Sequence, residues 1–159
     1  MRSNKNIILY TAFAAYAILM FWLLFGQRLQ VYLNGTWTED YWADFSVKIN
    51  LIPFSTIAEF WNELHSGGRA HAFINLAGNV IMFVPLGFLV PQVFRGTDTF
   101  RRSMLWSLVT ILSVEILQLF TLLGSLDVDD LILNMIGAAV GYGVYAVLCR
   151  RREEERRQT

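Results

Sequence analysis

Four long apolar segments constrain this chain more than any other feature of its sequence. They cover residues 7–25, 72–94, 104–123 and 128–149. A helix that crosses a bilayer needs about 20 mostly apolar residues, because an unpaired backbone polar group is costly in hydrocarbon. Charged residues make up only 16% of the chain, against about 25% in typical soluble domains. The sequence therefore predicts an all-α polytopic membrane protein with a bundle of four transmembrane helices.

Several other classes of protein are excluded by composition and by the absence of motifs. The formal net charge is zero, which argues against a nucleic-acid partner. A single cysteine, Cys149, excludes an internal disulfide and a cysteine-based zinc site. His65 and His71 lie six residues apart and do not share a helical face, so we predict no metal site. No phosphate-binding loop or nucleophile motif is present, and we predict no cofactor.

The distribution of basic residues predicts how the chain is oriented. Ten of its thirteen lysines and arginines lie in the N-terminal segment, the loop between the second and third spans, and the C-terminal tail. The remaining three are Arg28, Lys48 and Arg69. The positive-inside rule therefore predicts that both termini are cytoplasmic. We expect one domain over residues 1–159, with residues 150–159 as a charged cytoplasmic tail.

The segment between the first two spans, residues 26–69, is then extracytoplasmic. It is rich in tyrosine, tryptophan and phenylalanine, and tyrosine and tryptophan favour the headgroup region of a membrane. Residues 56–59 match a capping box with Thr56 as its first residue, which would begin a helix. Apolar residues follow at helical spacing, up to Gly67. We predict a short interfacial helix between helices 1 and 2, over residues 56–65.

Polar side chains inside the predicted spans indicate a site. Glu115 lies about 16 Å along the third span, and ionisable groups at such a depth usually face a partner or a water-filled cavity. On the fourth helix, Asp127, Asp130 and Asn134 share one stripe. Asp129 points away from that stripe. We therefore predict an outward-facing polar pocket whose ligand-binding residues are Asn75, Asn79, Glu115, Gln118, Asp127, Asp130 and Asn134.

Each of these features has a simpler structural alternative. The two asparagines of the second span are equally explained by hydrogen bonds between helices. A structural hydrogen bond is also an alternative for Glu115, but this residue is the hardest to explain by packing alone. Gly137 and Gly141 have the spacing of close helix packing, which we favour for them. Asp127 or Asp129 is expected to cap the fourth helix.

The ordered set of motifs resembles the VanZ-like family over residues 50–145. The motifs are Asn50-Leu51-Ile52-Pro53-Phe54, Asn75-x-x-x-Asn79-x-x-x-Phe83-x-Pro85-x-Gly87, Glu115-x-x-Gln118, and Asp127-Val128-Asp129-Asp130 through Asn134 and Gly137. The resemblance implies a bacterial multi-pass protein of the cytoplasmic membrane, linked to reduced susceptibility to teicoplanin-type glycopeptide antibiotics. It implies no particular reaction. Many members have a basic residue just before the aspartate motif, where this chain has Gly124, Ser125 and Leu126.

Three functions are open at this point. We favour a non-enzymatic envelope protein that binds a lipoglycopeptide or a cell-wall lipid precursor at the outer leaflet, with the interfacial helix and the aromatic segment receiving the acyl part. The alternative is a membrane enzyme or flippase with Glu115 and Asp130 as an acid–base pair. The third possible function is purely structural, as a helix bundle whose polar residues only specify packing. All three functions are compatible with a homo-oligomer.

Overall fold

The structure is a computed structural model that describes residues 2–26, 29, 45–46, 48–66 and 69–158. Its helices are α1 (Arg2–Phe21), which continues into a π-helical turn (Trp22–Gly26), α2 (Ser55–Ser66), α3 (Arg69–Val93), α4 (Phe100–Phe120) and α5 (Val128–Gln158). Two short strands, β1 (Ile49–Asn50) and β2 (Leu126–Asp127), precede α2 and α5. The predicted all-α architecture with a short helix between the first two spans is confirmed.

Four of the described helices are long and apolar enough to cross a membrane. The candidate spans are Asn6–Gly26, Phe73–Val93, Phe100–Phe120 and Val128–Cys149. Each span keeps large apolar side chains on its outer surface, among them Ile18, Ile81, Val109 and Ile136. In water such a surface would be unfavourable, but hydrocarbon is as apolar as these side chains. The protein is therefore a multi-pass membrane protein.

Helices α3 and α5 approach each other closely because glycines lie at their contact. A Cβ atom added to Gly137 would lie 2.1 Å from the carbonyl oxygen of Val80, and one added to Gly141 would lie 1.9 Å from that of Val84. On α3, a Cβ at Gly87 would lie 1.8 Å from the carbonyl oxygen of Ala138. The predicted role of the two α5 glycines in helix packing is confirmed.

Helix α4 turns one stripe of residues towards the bundle. Ser103, Ser107, Ile111, Glu115 and Leu119 follow one another at intervals of four and are all buried. Small serines in the first half of α4 allow close approach of the neighbouring backbone. Because Glu115 belongs to the same stripe, packing of α4 by itself turns the carboxyl inward.

An apolar cluster fills the space between α1, α3 and α4. Its buried members are Met20, Phe83, Leu86, Val90 and Ile111. The hydroxyl of Tyr16 donates a 3.0 Å hydrogen bond to the carbonyl oxygen of Met82 and so ties α1 to α3.

A short parallel pairing links two segments that are distant in sequence. Ile49 pairs with Leu126 and Asn50 with Asp127. The backbone N–H of Leu126 also donates to the carbonyl oxygen of Lys48 at 2.8 Å, and the Lys48 ammonium donates to the carbonyl oxygen of Leu122. This pairing was not predicted from the sequence. It brings the start of α2 next to the start of α5.

The predicted capping box at the start of the interfacial helix is wrong. Helix α2 begins at Ser55, and the hydroxyl of Thr56 donates to Asp127 at 2.7 Å instead of accepting a backbone N–H of its own helix. Asp129, from the first turn of α5, receives the backbone N–H groups at this helix start. A cap supplied by a distant segment leaves no local sequence pattern.

Candidate functional site

A polar cavity of about 60 Å³ lies between α3, α4 and α5. Six polar residues and three apolar ones line it. The polar residues are Asn79, Glu115, Gln118, Ser125, Asp130 and Asn134, and the apolar ones are Leu24, Phe83 and Val114. Each of the three helices contributes at least one amide or carboxyl side chain to this cavity.

Two hydrogen bonds pair an amide with a carboxylate across helices in this cavity. The side-chain amide of Asn79 donates to Asp130 Oδ1 at 2.5 Å, which joins α3 to α5. The amide of Asn134 donates to Glu115 Oε1 at 3.4 Å, which joins α5 to α4. Glu115 and Asn134 are only 4% and 3% exposed, so both are almost completely buried.

One buried acceptor of this cavity has no hydrogen-bond donor among the described residues, and one buried amide makes only a weak bond. The buried Oδ1 of Asn134 accepts no hydrogen bond from the residues that the structure describes. Gln118, 6% exposed, donates to the carbonyl oxygen of Leu24 at 3.4 Å, a long and therefore weak bond. A buried amide oxygen without a donor is costly unless water or a ligand supplies one.

Five of the seven predicted ligand-binding residues line this cavity, and two do not. The five are Asn79, Glu115, Gln118, Asp130 and Asn134. Asn75 lies one helical turn before Asn79 and is half-buried, outside the cavity lining. Asp127 is buried next to the start of α2. Ser125, which was not among the predicted residues, also lines the cavity.

Asp127 and Asp129 instead form a second polar cluster with the start of α2, here called the aspartate clamp. Asp127 Oδ2 accepts hydrogen bonds from Asn50 at 3.2 Å and from Thr56 at 2.7 Å. Its Oδ1 accepts the backbone N–H of Asp129 at 2.8 Å. Asp127 is therefore the N-cap of α5, and the prediction that an aspartate caps this helix is confirmed.

Asp129 completes the aspartate clamp and is fully buried. Its Oδ1 accepts the backbone N–H of Phe54 at 2.5 Å, and its Oδ2 accepts that of Ile57 at 3.1 Å. A carboxylate at a helix N-terminus also complements the helix dipole. Sequence reasoning missed this role, although an acid turned away from the polar stripe needed a partner elsewhere.

Four spanning helices around a buried cluster of carboxylates and amides define a polytopic membrane protein with an intramembrane polar site. The chain belongs to the VanZ/LLP1 family, whose model matches residues 13–149. It is similar to "Protein VanZ" of Enterococcus faecium, with 28% identity over 99 residues, which cover 62% of this chain and 53% of that protein. The chain thus spans about half the length of this curated relative. No solved structure matches the chain.

Proposed function

We propose that this protein binds an amphipathic molecule of the outer leaflet in its polar cavity and thereby lowers susceptibility to teicoplanin-type glycopeptides. The ligand is a lipoglycopeptide or a cell-wall lipid precursor. The observation that carries the proposal is the cavity itself: two carboxylates and three amides from three helices face one space at membrane depth. Membership of the VanZ/LLP1 family supports the link to glycopeptides.

The size and lining of the cavity favour binding over packing alone. Ionisable groups within a membrane are expensive and tend to be functional. Packing alone would close the space around the two amide–carboxylate pairs, but about 60 Å³ remains. A single buried water needs only ~10–15 Å³ by the same measure. The space therefore admits several waters or one polar group of a ligand.

The orientation belongs to the same proposal. The cavity lies near the end of α1, the end of α4 and the start of α5, on the side of the bundle that carries β1, β2 and α2. The excess of lysine and arginine in the other connections makes this the outer face of the cytoplasmic membrane. Both termini are then cytoplasmic, and the cavity lies towards the face of the membrane at which glycopeptides act.

A membrane enzyme or flippase is the second candidate, favoured by one observation. Glu115 and Asp130 line the same cavity, so a proton could pass between them and a bound substrate. Ser125 lines it as well, but among the described residues no hydrogen bond pairs its hydroxyl with a base. We therefore retain non-enzymatic binding as the proposed function.

Glu115→Gln and Asp130→Asn test the proposal in a glycopeptide-susceptible bacterial host that expresses the full chain. Both changes keep the side-chain shape and remove the charge. The measurements are the minimal inhibitory concentration of teicoplanin and the amount of each variant in the membrane. The matched control for Asp130→Asn is Asp98→Asn, on an exposed loop, and the control for Glu115→Gln is Ser113→Ala on the outer face of α4.

We expect the two cavity variants to accumulate normally and to lose protection, while both controls retain it. Full retention of protection by both cavity variants refutes the proposal. Failure of both to accumulate, when the controls do, also refutes it and favours a purely structural role. Binding of fluorescent teicoplanin to membranes separates the two candidates. In Glu115→Gln, an enzyme would lose protection but keep binding, whereas a binding protein would lose both protection and binding.

A further inference from the structure

Four consecutive apolar residues are exposed in the turn between β1 and α2, here called the apolar tip (residues 51–54). Leu51, Ile52 and Phe54 are 65%, 69% and 62% exposed, and Pro53 between them is exposed as well. The candidate spans of the described residues do not include the tip. Apolar side chains scattered singly over a surface are ordinary, but a contiguous exposed group marks an interaction surface.

Contacts with the start of α5 fix the height of the apolar tip relative to the membrane. The candidate span of α5 begins at Val128, and its 22 residues are about 33 Å long. The hydrocarbon of a bilayer is ~30 Å thick, so Val128 lies near its edge. Asn50, just before the tip, pairs with Asp127, and Phe54 at its end donates its N–H to Asp129. Both ends of the tip are therefore level with the first turn of α5, at the membrane interface.

The backbone of the apolar tip pairs its donors within the protein. The N–H of Ile52 donates to the side-chain oxygen of Asn50 at 3.2 Å, Pro53 has no N–H, and that of Phe54 is held by the aspartate clamp. The carbonyl oxygen of Ile52 accepts the hydroxyl of Ser55 at 2.8 Å. An unpaired backbone donor is tolerated in water but costly in lipid. Because the last three residues of the tip offer no unpaired N–H and only apolar side chains, the tip is suited to lipid.

The backbone at the end of the apolar tip is strained and held in place. Phe54 has a φ of +66°, a conformation that is uncommon for any residue with a bulky side chain. The two oxygens of Asp129 fix it by binding the N–H groups of Phe54 and Ile57. Strained residues cluster at functional positions. Here the strain keeps a large aromatic side chain exposed, which points to a role for that surface.

The exposed surface of α2 is less apolar than the tip. It carries Glu59, Asn62 and His65 besides Ala58 and Trp61. Tryptophan is typical of the headgroup region, where a side chain can be half wet, but a carboxylate does not enter hydrocarbon readily. The tip, rather than the helix that follows it, is therefore the part of this segment that is suited to contact acyl chains.

We propose that the apolar tip is a lipid-binding surface, which inserts between the lipids of the leaflet at which α5 begins and contacts the upper part of their acyl chains. In the proposed orientation this is the outer leaflet. Ser125, in the wall of the polar cavity, directly precedes the strand that pairs with β1. Insertion of the tip therefore anchors the rim of the polar cavity at the lipid interface. This role goes beyond the proposed function and does not depend on it.

Fluorescence quenching of the full chain in phosphatidylcholine nanodiscs locates the tip. Cys149→Ser removes the single cysteine and is the background of every variant. Ile52→Cys then carries the environment-sensitive fluorophore NBD, and Glu59→Cys, at an exposed position of α2, is the matched control. Two quenchers are compared at each position. One is phosphatidylcholine brominated in the upper part of its acyl chains, and the other is iodide in the buffer.

We expect the fluorophore at residue 52 to be quenched by the brominated lipid and to lose most of the iodide quenching that is measured at residue 59. Equal quenching at the two positions overturns the proposal, because the tip then has no greater depth than α2. Protection of residue 52 from both quenchers also overturns it, because protein and not lipid then covers the tip. If Ile52→Cys does not accumulate, Leu51→Cys takes its place, since Leu51 is similarly exposed.

A second arm tests whether the native side chains hold the tip in lipid. Leu51→Ser and Phe54→Ser together, in the chain labelled at residue 52, remove two apolar groups but keep the backbone N–H groups bound by the clamp. We expect this pair to lower quenching by the brominated lipid and to raise quenching by iodide, whereas Ala58→Ser on the exposed surface of α2 changes neither. Unchanged quenching in the double variant overturns the proposal. Neither arm uses teicoplanin, so the outcome is independent of the proposed function.

Discussion

Replacing Asp129 by asparagine should loosen the aspartate clamp between α2 and α5. In the native chain both carboxylate oxygens accept backbone N–H groups, from Phe54 and Ile57, and the side chain is fully buried. An asparagine keeps one acceptor oxygen but turns an NH₂ group, itself a donor, towards the other N–H. One charge-assisted hydrogen bond is lost and two donors then face each other.

The size of the increase in local opening follows from the hydrogen bond that is lost and from the backbone strain at Phe54 that this bond offsets. A hydrogen bond to a charged group contributes about 1.5–3 kcal/mol. Phe54 has a φ of +66°, in the left-handed region that costs a non-glycine residue about 1–2 kcal/mol. The clamp offsets that cost. Losing the bond should therefore raise the population of the locally open state by about 10- to 150-fold.

Amide hydrogen exchange, followed by mass spectrometry in detergent or nanodiscs, measures this opening directly. We expect faster exchange at the amides of residues 54–57 in Asp129→Asn, with unchanged exchange in the middle of α3 and α5. Asp98→Asn, on an exposed loop, is the matched control. Adding Phe54→Gly to the Asp129→Asn chain should recover about fivefold of the protection, because glycine adopts positive φ without strain.

Two results would refute this reasoning. The first is unchanged exchange at residues 54–57 in Asp129→Asn, which would mean that the carboxylate does not hold the helix start. The second is a further loss of protection when Phe54→Gly is added, which would mean that the aromatic side chain stabilises the turn more than its backbone strain costs. Phe54 is 62% exposed, so little burial is lost in that variant.

Three further changes test the packing of the bundle, with the thermal unfolding midpoint in detergent as the first assay. Gly137→Ala brings a Cβ into collision with a backbone carbonyl of α3 and should lower stability by about 1–3 kcal/mol. Its control, Gly143→Ala, has open space around it and should leave the midpoint unchanged or raised. Tyr16→Phe removes the hydroxyl bonded to Met82 and should cost about 1 kcal/mol in the same assay. Thr56→Val removes a 2.7 Å bond to the clamp and should speed exchange at the start of α2 by about tenfold. Each contact is contradicted by a different result. These results are equal midpoints for the two alanine variants, a native midpoint for Tyr16→Phe, and native exchange for Thr56→Val.

Much of the bundle is readable from the sequence because the bilayer acts on each helix separately. A run of apolar residues must form a helix in hydrocarbon whatever its neighbours do, so hydropathy alone identifies the four spans. Helical periodicity then shows which side chains share a face. Asn79, Glu115 and Asp130, which periodicity placed on inward faces, line one cavity in the structure; that the cavity binds a ligand stays a prediction.

The sequence is less informative where a polar group has a choice of partners. Asp127, Asp129 and Asp130 follow one another closely, yet only Asp130 lines the polar cavity, while the other two bind the start of α2. Neighbouring residues on a helix differ by 100° in direction, so their surroundings depend on what packs on each side. The pairing of Asn50 with Asp127 places the start of α2 beside the start of α5, and this decides the partners of Asp127 and Asp129.

By itself, then, the sequence determines that this chain spans a membrane, where its helices lie, and which polar residues share a helical face. Tertiary structure alone decides that Phe54 and Asp129, 75 residues apart, are hydrogen-bonded, and that side chains from three helices line one polar cavity. Hydropathy and periodicity are properties of one helix in its solvent. Contacts and cavities depend on how closely several backbones approach, which here rests on glycines at the α3–α5 contact and on a two-residue strand pairing.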